Sequence, residues 1–420
     1  MRESLAVIGT GISGLASAWL LQQKYDIEVF EKEDYVGGHT HTVDVAHEST
    51  TTPVDTGFIV YNETTYPNLV RLFHFLGVET QHSDMSFAVR CEACDLEYSG
   101  TGLGGLFAQK RNLVRPQFWR MLVDIPRFNR LAHALLAKGM SAESTLADFL
   151  RENRFSDAFA RHYLIPMAAA IWSSGTGDIH QFPAKSLLEF MQNHGLLGIT
   201  GHHPWRTVTG GSRMYVEAIT RDFNGKIHLQ TPVRKIERES GGVRLLFDQG
   251  EPRNFQHVVI ATHADQALNM LAQPSPHESR LLGAWTYSNN ATLLHTSVEG
   301  MPHRPAARAS WNYQLSDCAG HSESACLHYW MNRLQSIAPP PQLVVSLNPI
   351  TPPPPDAILQ EFQYQPPVYS REAMETQSEL HSLNGPQNTY FCGAYHRWGF
   401  HEDGLVSAIR VADQLGVTFP

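Results

Sequence analysis

The sequence is poor in the features that mark several large protein classes. It has only five cysteines, an odd number at irregular spacing, which argues against a disulfide framework and fits a reducing compartment. One pair, Cys91-Glu92-Ala93-Cys94, has C-x-x-C form, but no second pair and no Cys/His couple stands at zinc-finger distance from it. A hairpin turn accounts for that pair as well as redox or metal chemistry does. The 22 histidines are scattered without an H-E-x-x-H or comparable cluster, so no metal is expected. Basic residues are outnumbered, and the formal net charge of −9 argues against a nucleic-acid-binding protein. Long apolar runs are lacking too. The uncharged run from Leu5 to Leu21 comes nearest, yet no cleavage-site signature follows it and its glycines obey a different pattern, so it reads as fold rather than signal peptide or membrane span. A cytoplasmic protein is expected, with peripheral membrane contact left open.

What is present begins with that same run. Leu5 to Ile8 read as a short apolar strand, Gly9, Gly11 and Gly14 stand in G-x-G-x-x-G spacing, and Leu15 to Gln23 read as a helix. Ile27 to Phe30 form a second strand that ends at Glu31, where a carboxylate can accept hydrogen bonds from ribose hydroxyls. The glycines allow a tight turn and a close backbone approach to a pyrophosphate, and the helix N-terminus offers it free N–H groups. The glycine spacing alone is weak evidence against a chance glycine-rich turn; strand, glycines, helix, strand and acid at the correct offsets are not. Gly37 and Gly38 follow in the next loop and permit a second close approach.

A chain of 420 residues, 42% hydrophobic, can bury a sizeable core and is expected to form two interleaved domains. Tyr66 to Leu76 has helical apolar spacing with Gly77 as its stop, and short strands are expected between Ser86 and Gly100. Between Gly105 and Met140 seven Lys and Arg stand against one acid, Asp124. On a helical wheel Phe118, Met121, Leu122, Ile125, Phe128 and Leu135 share one side, and Arg115, Arg120, Arg127 and Arg130 the other, with a kink expected at Pro126. Such a basic amphipathic helix, within residues 110–138, can lie on an anionic membrane, cover an apolar substrate tunnel, or simply pack on its own domain. Small residues leading to Trp172 suit a helix beside a cavity wall. Trp205 to Ser212, with Gly210-Gly211, returns towards the first domain, and Gln256 to Thr262 reads as a buried strand. Proline runs at 339–341 and 352–355 punctuate a second excursion as rigid loops. Tyr390 to Tyr395 form a strand and turn before a helix expected from Gly404 through Leu415.

These pieces, in this order, resemble the flavin amine oxidase superfamily, which includes monoamine oxidases, protoporphyrinogen oxidases and phytoene desaturases. The resemblance is sharpest to a bacterial amine-oxidase-like subgroup carrying D-T-G-F-I-V-Y-N, here Asp55 to Asn62, and G-F-H-E-D-G-L, here Gly399 to Leu405. It implies a mixed α/β and α+β fold in which a Rossmann-like FAD-binding domain (residues 1–85, 205–270 and 381–420) is interleaved with a mixed-sheet and helical substrate domain (86–204 and 271–380). It implies noncovalent FAD, since Cys392 precedes the glycine turn where an attachment cysteine would follow it. FAD contacts carry over to Gly9, Gly11, Ile12, Ser13, Gly14, Glu31 and Lys32, then to Gly37, Gly38 and His39, which stands where the family more often has arginine. Further contacts carry over to main-chain groups of Val233, to Ala261, and to Gly393, Gly404 and Leu405. Flavin chemistry removes a hydride from a C–H bond and requires few catalytic side chains. Tyr395, His396, Trp398 and Trp172 are the candidates near the ring, with His396 or His401 as a base set against a structural role for either. No second G-x-G-x-x-G offers NAD(P)H a site, so oxygen, a quinone or another carrier is expected to reoxidise the flavin. The expected activity is a dehydrogenase or desaturase acting on a fatty-acyl or isoprenoid-like chain. The alternatives are an amine oxidase releasing hydrogen peroxide and a non-catalytic flavin-binding sensor or scaffold.

Overall fold

The computed structural model describes residues 2–140, 144–198, 203–318 and 324–420. In the strand Ser4–Ile8, Leu5 and Val7 point to one face and Ala6 and Ile8 to the other, and all four are buried. Only a sheet covered on both sides allows this. The strand sits in the middle of a five-stranded parallel sheet, in the order Lys226–His228, Asp26–Phe30, Ser4–Ile8, His257–Ile260, Thr389–Phe391. The Leu5/Val7 face is covered by the helices Ile12–Leu21, Pro67–Leu76, Arg213–Arg221 and His401–Gln414. The other face joins a larger core that includes the antiparallel strands Val233–Glu239, Gly242–Phe247 and Arg253–Phe255.

A second sheet has seven strands, in the order Ile358–Tyr364, Asn290–His295, Val344–Leu347, Leu327–Trp330, Trp311–Leu315, Phe87–Cys91, Leu96–Ser99. All neighbours are antiparallel except Trp311–Leu315 beside Phe87–Cys91. The helices Pro116–Lys138, Ile165–Trp172 and Ala184–Asn193 bury their apolar faces in the same large core. Among the described residues no helix is long and apolar enough to cross a membrane.

Two elements differ from their sequence reading. The basic helix spans 23 residues with Pro126 inside it, and Phe118, Met121, Phe128 and Ala132 anchor its inner face on both sides of the proline; its free face is less open than expected. Its lone acid, Asp124, is buried and holds Arg127 at 3.2 Å and Arg120 at 3.5 Å, so that two of the four arginines expected on the free face are partly engaged. The last helix starts at His401 rather than Gly404, because the Asp403 carboxylate accepts the Phe400 N–H at 3.0 Å and closes the first turn.

One buried carboxylate ties the two parts of the chain together. Asp55 ends the strand Thr50–Asp55 and accepts hydrogen bonds from Thr42 Oγ1 (2.6 Å), Ser212 N (2.8 Å), Ser212 Oγ (2.8 Å) and Gln335 Nε2 (3.1 Å). Its own N–H donates to Gln335 Oε1 at 2.9 Å. Burial pushes its pKa up to about 6 in spite of these donors. Replacing Asp55 with alanine strands the Ser212 N–H and the Gln335 amide without acceptors. A loss of about 2–6 kcal/mol is expected in urea unfolding, at about 1–3 kcal/mol for each of these two buried unpaired groups.

Candidate flavin site

The glycine turn is built by contacts that no side chain could survive. Gly9 has φ 98°, and a Cβ there would lie 2.9 Å from the Ala261 carbonyl oxygen; one on Gly14 would lie 1.9 Å from the carbonyl oxygen of Gly9. These contacts seat the helix Ile12–Leu21 directly on the end of its strand. At Gly11 the reverse holds: nothing stands within 4 Å of a built Cβ. That open space faces a helix N-terminus without a side-chain cap, where the free N–H groups and the helix dipole favour an anion. Gly38 crosses over it, a Cβ there falling 3.0 Å from Gly11 Cα.

The last helix meets the first at the same place. A Cβ on Gly404 would lie 2.8 Å from both Ile12 Cγ2 and Ser13 Oγ, so the two first turns touch, with Leu405 buried behind. Gly393 packs its Cα against the Tyr395 ring, 2.4 Å from a built Cβ, and its N–H donates to Ser407 Oγ at 2.9 Å. Glu402 and Asp403, both buried in this first turn, are turned to other work. Glu402 accepts from Asn68 N (3.1 Å) and Leu69 N (2.9 Å) and so caps the helix Pro67–Leu76. Asp403 accepts from Trp398 N (3.2 Å) and Phe400 N (3.0 Å), and burial raises its pKa to about 7.

Glu31, at the end of the second strand, is buried with its carboxylate held by Thr10 N (2.9 Å), Thr10 Oγ1 (2.5 Å) and Glu33 N (3.0 Å). Lys32 turns outward to Glu33 at 3.3 Å. Val233 begins a strand whose register shifts between Val233 and Lys235. Ala261 continues the strand His257–Ile260, its N–H donating to Ile8 O at 2.8 Å. His39 is exposed, its ring 5.1 Å from that of Tyr364. The space over Gly11, two converging helix N-termini and an oriented carboxylate fit the diphosphate and ribose of FAD. Cys392 is fully buried at 3.6 Å from Ser17 Oγ, and burial pushes its thiol up to about 12, so it has neither the access nor the acidity for a flavin link.

The structure brings the four candidate catalytic residues close together without giving them equal roles. Trp172 Nε1 donates to the Trp398 carbonyl at 3.3 Å, and the Trp172 ring packs on Phe182 (4.6 Å between centroids) and Phe190 (4.8 Å). Phe190 in turn stacks on Phe400 at 5.4 Å and on His194 at 3.9 Å. Tyr395 is buried beside Trp285 at 5.7 Å, and among the described residues its hydroxyl has no hydrogen-bond partner. His396 is held neutral by burial, its pKa pushed down to about 3, with Arg410 and His381 lowering it further. His401 stacks on Phe58 at 3.6 Å, directs Nε2 to Thr40 Oγ1 (2.9 Å) and Tyr215 Oη (3.1 Å), and is also pushed to about 3. Both imidazoles are too weakly basic for general-base work near neutrality.

Sequence reading assigned no roles to Asp55, Phe58, Glu402 and Asp403. All four lie in the two long motifs, and the Phe58–His401 stack joins one motif to the other.

A family profile described as flavin-containing amine oxidoreductase matches residues 12–296. The chain belongs to that family. Among relatives of the flavin-containing amine oxidoreductases, this member is 26% identical over 286 residues to AofH of Mycobacterium tuberculosis, whose name ascribes to it a flavin-containing monoamine oxidase role. The match covers 66% of this chain and 61% of AofH. Among solved structures, the conjugated-linoleic-acid-producing fatty acid isomerase from P. acnes superposes with TM-score 0.66 at 15% identity, covering 99% of this chain and 98% of that one. Cyclohexylamine oxidase from Brevibacterium oxydans IH-35A gives 0.67 at 16% identity, covering 99% and 100%. At these identities the structural likenesses establish the fold alone; membership of the flavin-containing family establishes FAD as the cofactor.

Two measurements follow from this geometry. Gly11→Ala keeps an allowed backbone (φ −63°, ψ 176°) and its methyl enters open space, so unfolding stability should change by less than about 0.5 kcal/mol while FAD affinity falls at least ~10-fold. Gly14→Val should lose both.

The second concerns pH. His194, His263, His396 and His401 have folded pKa values near 3 or 4, below the unfolded value, so their contribution to stability is present above about pH 6.5 and is lost as pH falls through the folded pKa. Asp55 and Asp403, raised to about 6 and 7, act in the opposite sense, stabilising as pH falls towards 4. The urea midpoint should therefore drop between pH 6.5 and 4, and drop more steeply in Asp403→Asn.

Proposed function

We propose that the protein is an FAD-dependent oxidoreductase that removes a hydride from a C–H bond of an apolar, lipid-like substrate, a fatty-acyl or isoprenoid chain. Bound FAD supplies a two-electron acceptor for that hydride. On this reading, residues 1–85, 205–270 and 381–420 hold the cofactor, and residues 86–204 and 271–380 hold the substrate. The observation that carries the lipid reading is an exposed apolar patch on the outer side of the helix Pro116–Lys138 and the turns before it. Leu103, Leu113, Val114, Trp119 and Val123 are between 45% (Trp119) and 80% (Val114) exposed, beside Lys110, Arg111 and Arg120. Aromatic and aliphatic side chains with a basic border suit contact with an anionic membrane surface. The inner side of the same helix packs on Ala184–Asn193, whose Phe190 reaches the aromatic wall of Trp172 and Phe400. The patch and the wall thus lie on opposite sides of one helix pair. The wall residues exclude water and position a hydrocarbon chain; the neutral imidazoles of His194 and His401 place no fixed charge against it.

The amine oxidase reading is favoured by the name of AofH and by the likeness to cyclohexylamine oxidase. A non-catalytic flavin protein remains the third reading. Anaerobic bleaching of the visible flavin band separates them. Fatty-acyl lipids presented in anionic vesicles should bleach the holoprotein, and Trp119→Glu should raise the vesicle concentration needed for half-maximal rate about 10-fold with little change in the maximal rate. Bleaching by amines alone, with peroxide released on readmission of air, would overturn the lipid reading. No bleaching by either class would favour the sensor or scaffold.

A further inference from the structure

The C-x-x-C pair lies in the turn between the strands Phe87–Cys91 and Leu96–Ser99, and there two residues far away in sequence join it. Cys318 brings its Sγ to 3.5 Å from Cys91 Sγ, across 227 residues of chain. His162 brings Nε2 to 3.7 Å from Cys94 Sγ, across 68. The four atoms, three sulfurs and one imidazole nitrogen, all lie within 4.8 Å of one another. A tetrahedral zinc ion with Zn–S of about 2.3 Å and Zn–N of about 2.0–2.1 Å separates its ligands by about 3.8 Å for S···S and about 3.6 Å for S···N. The geometry points to a metal site of Cys91, Cys94, His162 and Cys318 for a thiophilic divalent cation, zinc by preference.

The donor set is soft and closed. Three thiolates and an imidazole select zinc over the hard cations and leave no open position, which makes the site structural rather than catalytic. Its surroundings suit the charge. Three thiolates exceed a dication by one negative charge, and two guanidinium groups stand beside the ligands: Arg115 Nη2 donates to the Cys94 carbonyl at 2.8 Å, and Arg161 Nη1 to that of Cys318 at 3.0 Å. His162 is carried on a π-helical turn, Ala160–Leu164, a deviation from α-helix that commonly marks a functional residue, and Tyr98 Oη fixes the turn by donating to the His162 carbonyl at 2.6 Å. A cavity of about 440 Å³ opens beside Cys94 and His162 and provides an entry path.

The expectation that the chain has no metal site is thereby revised. The pair does form a hairpin turn, as the sequence allowed, but its two partners come from a helix turn and from the loop after the strand Trp311–Leu315, at no recognisable spacing. A bound ion would fasten the edge of the seven-stranded sheet to the helical layer that ends in Trp172.

The FAD-loaded protein, purified in reductant and metal-defined buffer, should contain one zinc per chain by inductively coupled plasma mass spectrometry. After chelation, Co²⁺ should replace it and give intense ligand-field bands in the red, clear of the flavin absorption. Cys318→Ser and His162→Gln should lose the metal and shift the cobalt spectrum while retaining FAD, and removal of zinc from the wild type should lower its thermal midpoint. A wild-type holoprotein that carries no metal and, when reduced, takes up no Co²⁺ would overturn the site even if both variants failed to fold. So would a Cys91–Cys318 disulfide in its peptide map, or a cobalt spectrum unchanged in either variant.

Discussion

The structure depends on three missing side chains. Gly14 lets the first helix sit directly on the end of its strand, Gly404 lets the last helix approach the first to a distance that any Cβ would forbid, and Gly11 leaves empty the space that their first turns enclose. Without that approach the N–H groups of the two helices would point to separate regions of solvent. With it, two partial positive charges converge on one opening, and an anion placed there meets both. The remaining features of the cofactor region are supports for this arrangement: the strand below, the acid at the end of the next strand, and the crossing loop at Gly37-Gly38.

Around this opening the protein suppresses charge. Imidazoles at 194, 263, 396 and 401 are kept neutral, and the buried acids at 55 and 403 are raised to about 6 and about 7. Burial is the first cause in every case, and hydrogen bonds only moderate it. The imidazoles place no fixed charge there, and the two acids that titrate nearest neutrality are both engaged by donors, Asp55 by Thr42, Ser212 and Gln335 and Asp403 by the Trp398 and Phe400 N–H groups. The same engagement accounts for the character of the two long motifs. Their polar residues orient loops and cap helices: Asn62 accepts from Thr64 N and Thr65 N, Glu402 caps the helix Pro67–Leu76, and Asp403 folds the Trp398–Phe400 loop.

Much of the fold was legible in the sequence because local signals carried it. Alternating apolar residues, glycine spacing and helix stops placed the central strands and the Pro67–Leu76 helix within a residue or two, and the first helix within three. The glycine turn was readable for the same reason, since backbone geometry demands a residue type at each offset. The network around Asp55 was not, because its donors stand 13, 157 and 280 residues away and none has a distinctive spacing. His396 and His401 were candidates for a base on residue type alone; only their burial shows how weak a base each is. The Cys91–Cys94 turn, readable as a hairpin, gave no hint of Cys318 and His162, since long-range convergence leaves no local trace.

The contact between Gly404 and the Ile12–Ser13 turn has a consequence for how the chain folds. It joins residues almost four hundred positions apart, so the opening between the two helix ends cannot exist until the intervening sheets have brought them together, and closing so long a loop is entropically costly. The first helix and its glycine turn can form early from local contacts, but they then present only half of an anion site. Binding that requires both halves is coupled to completion of the fold. FAD therefore acts as a late clasp, adding stability that grows with the logarithm of its free concentration and falling away first when the last helix loosens.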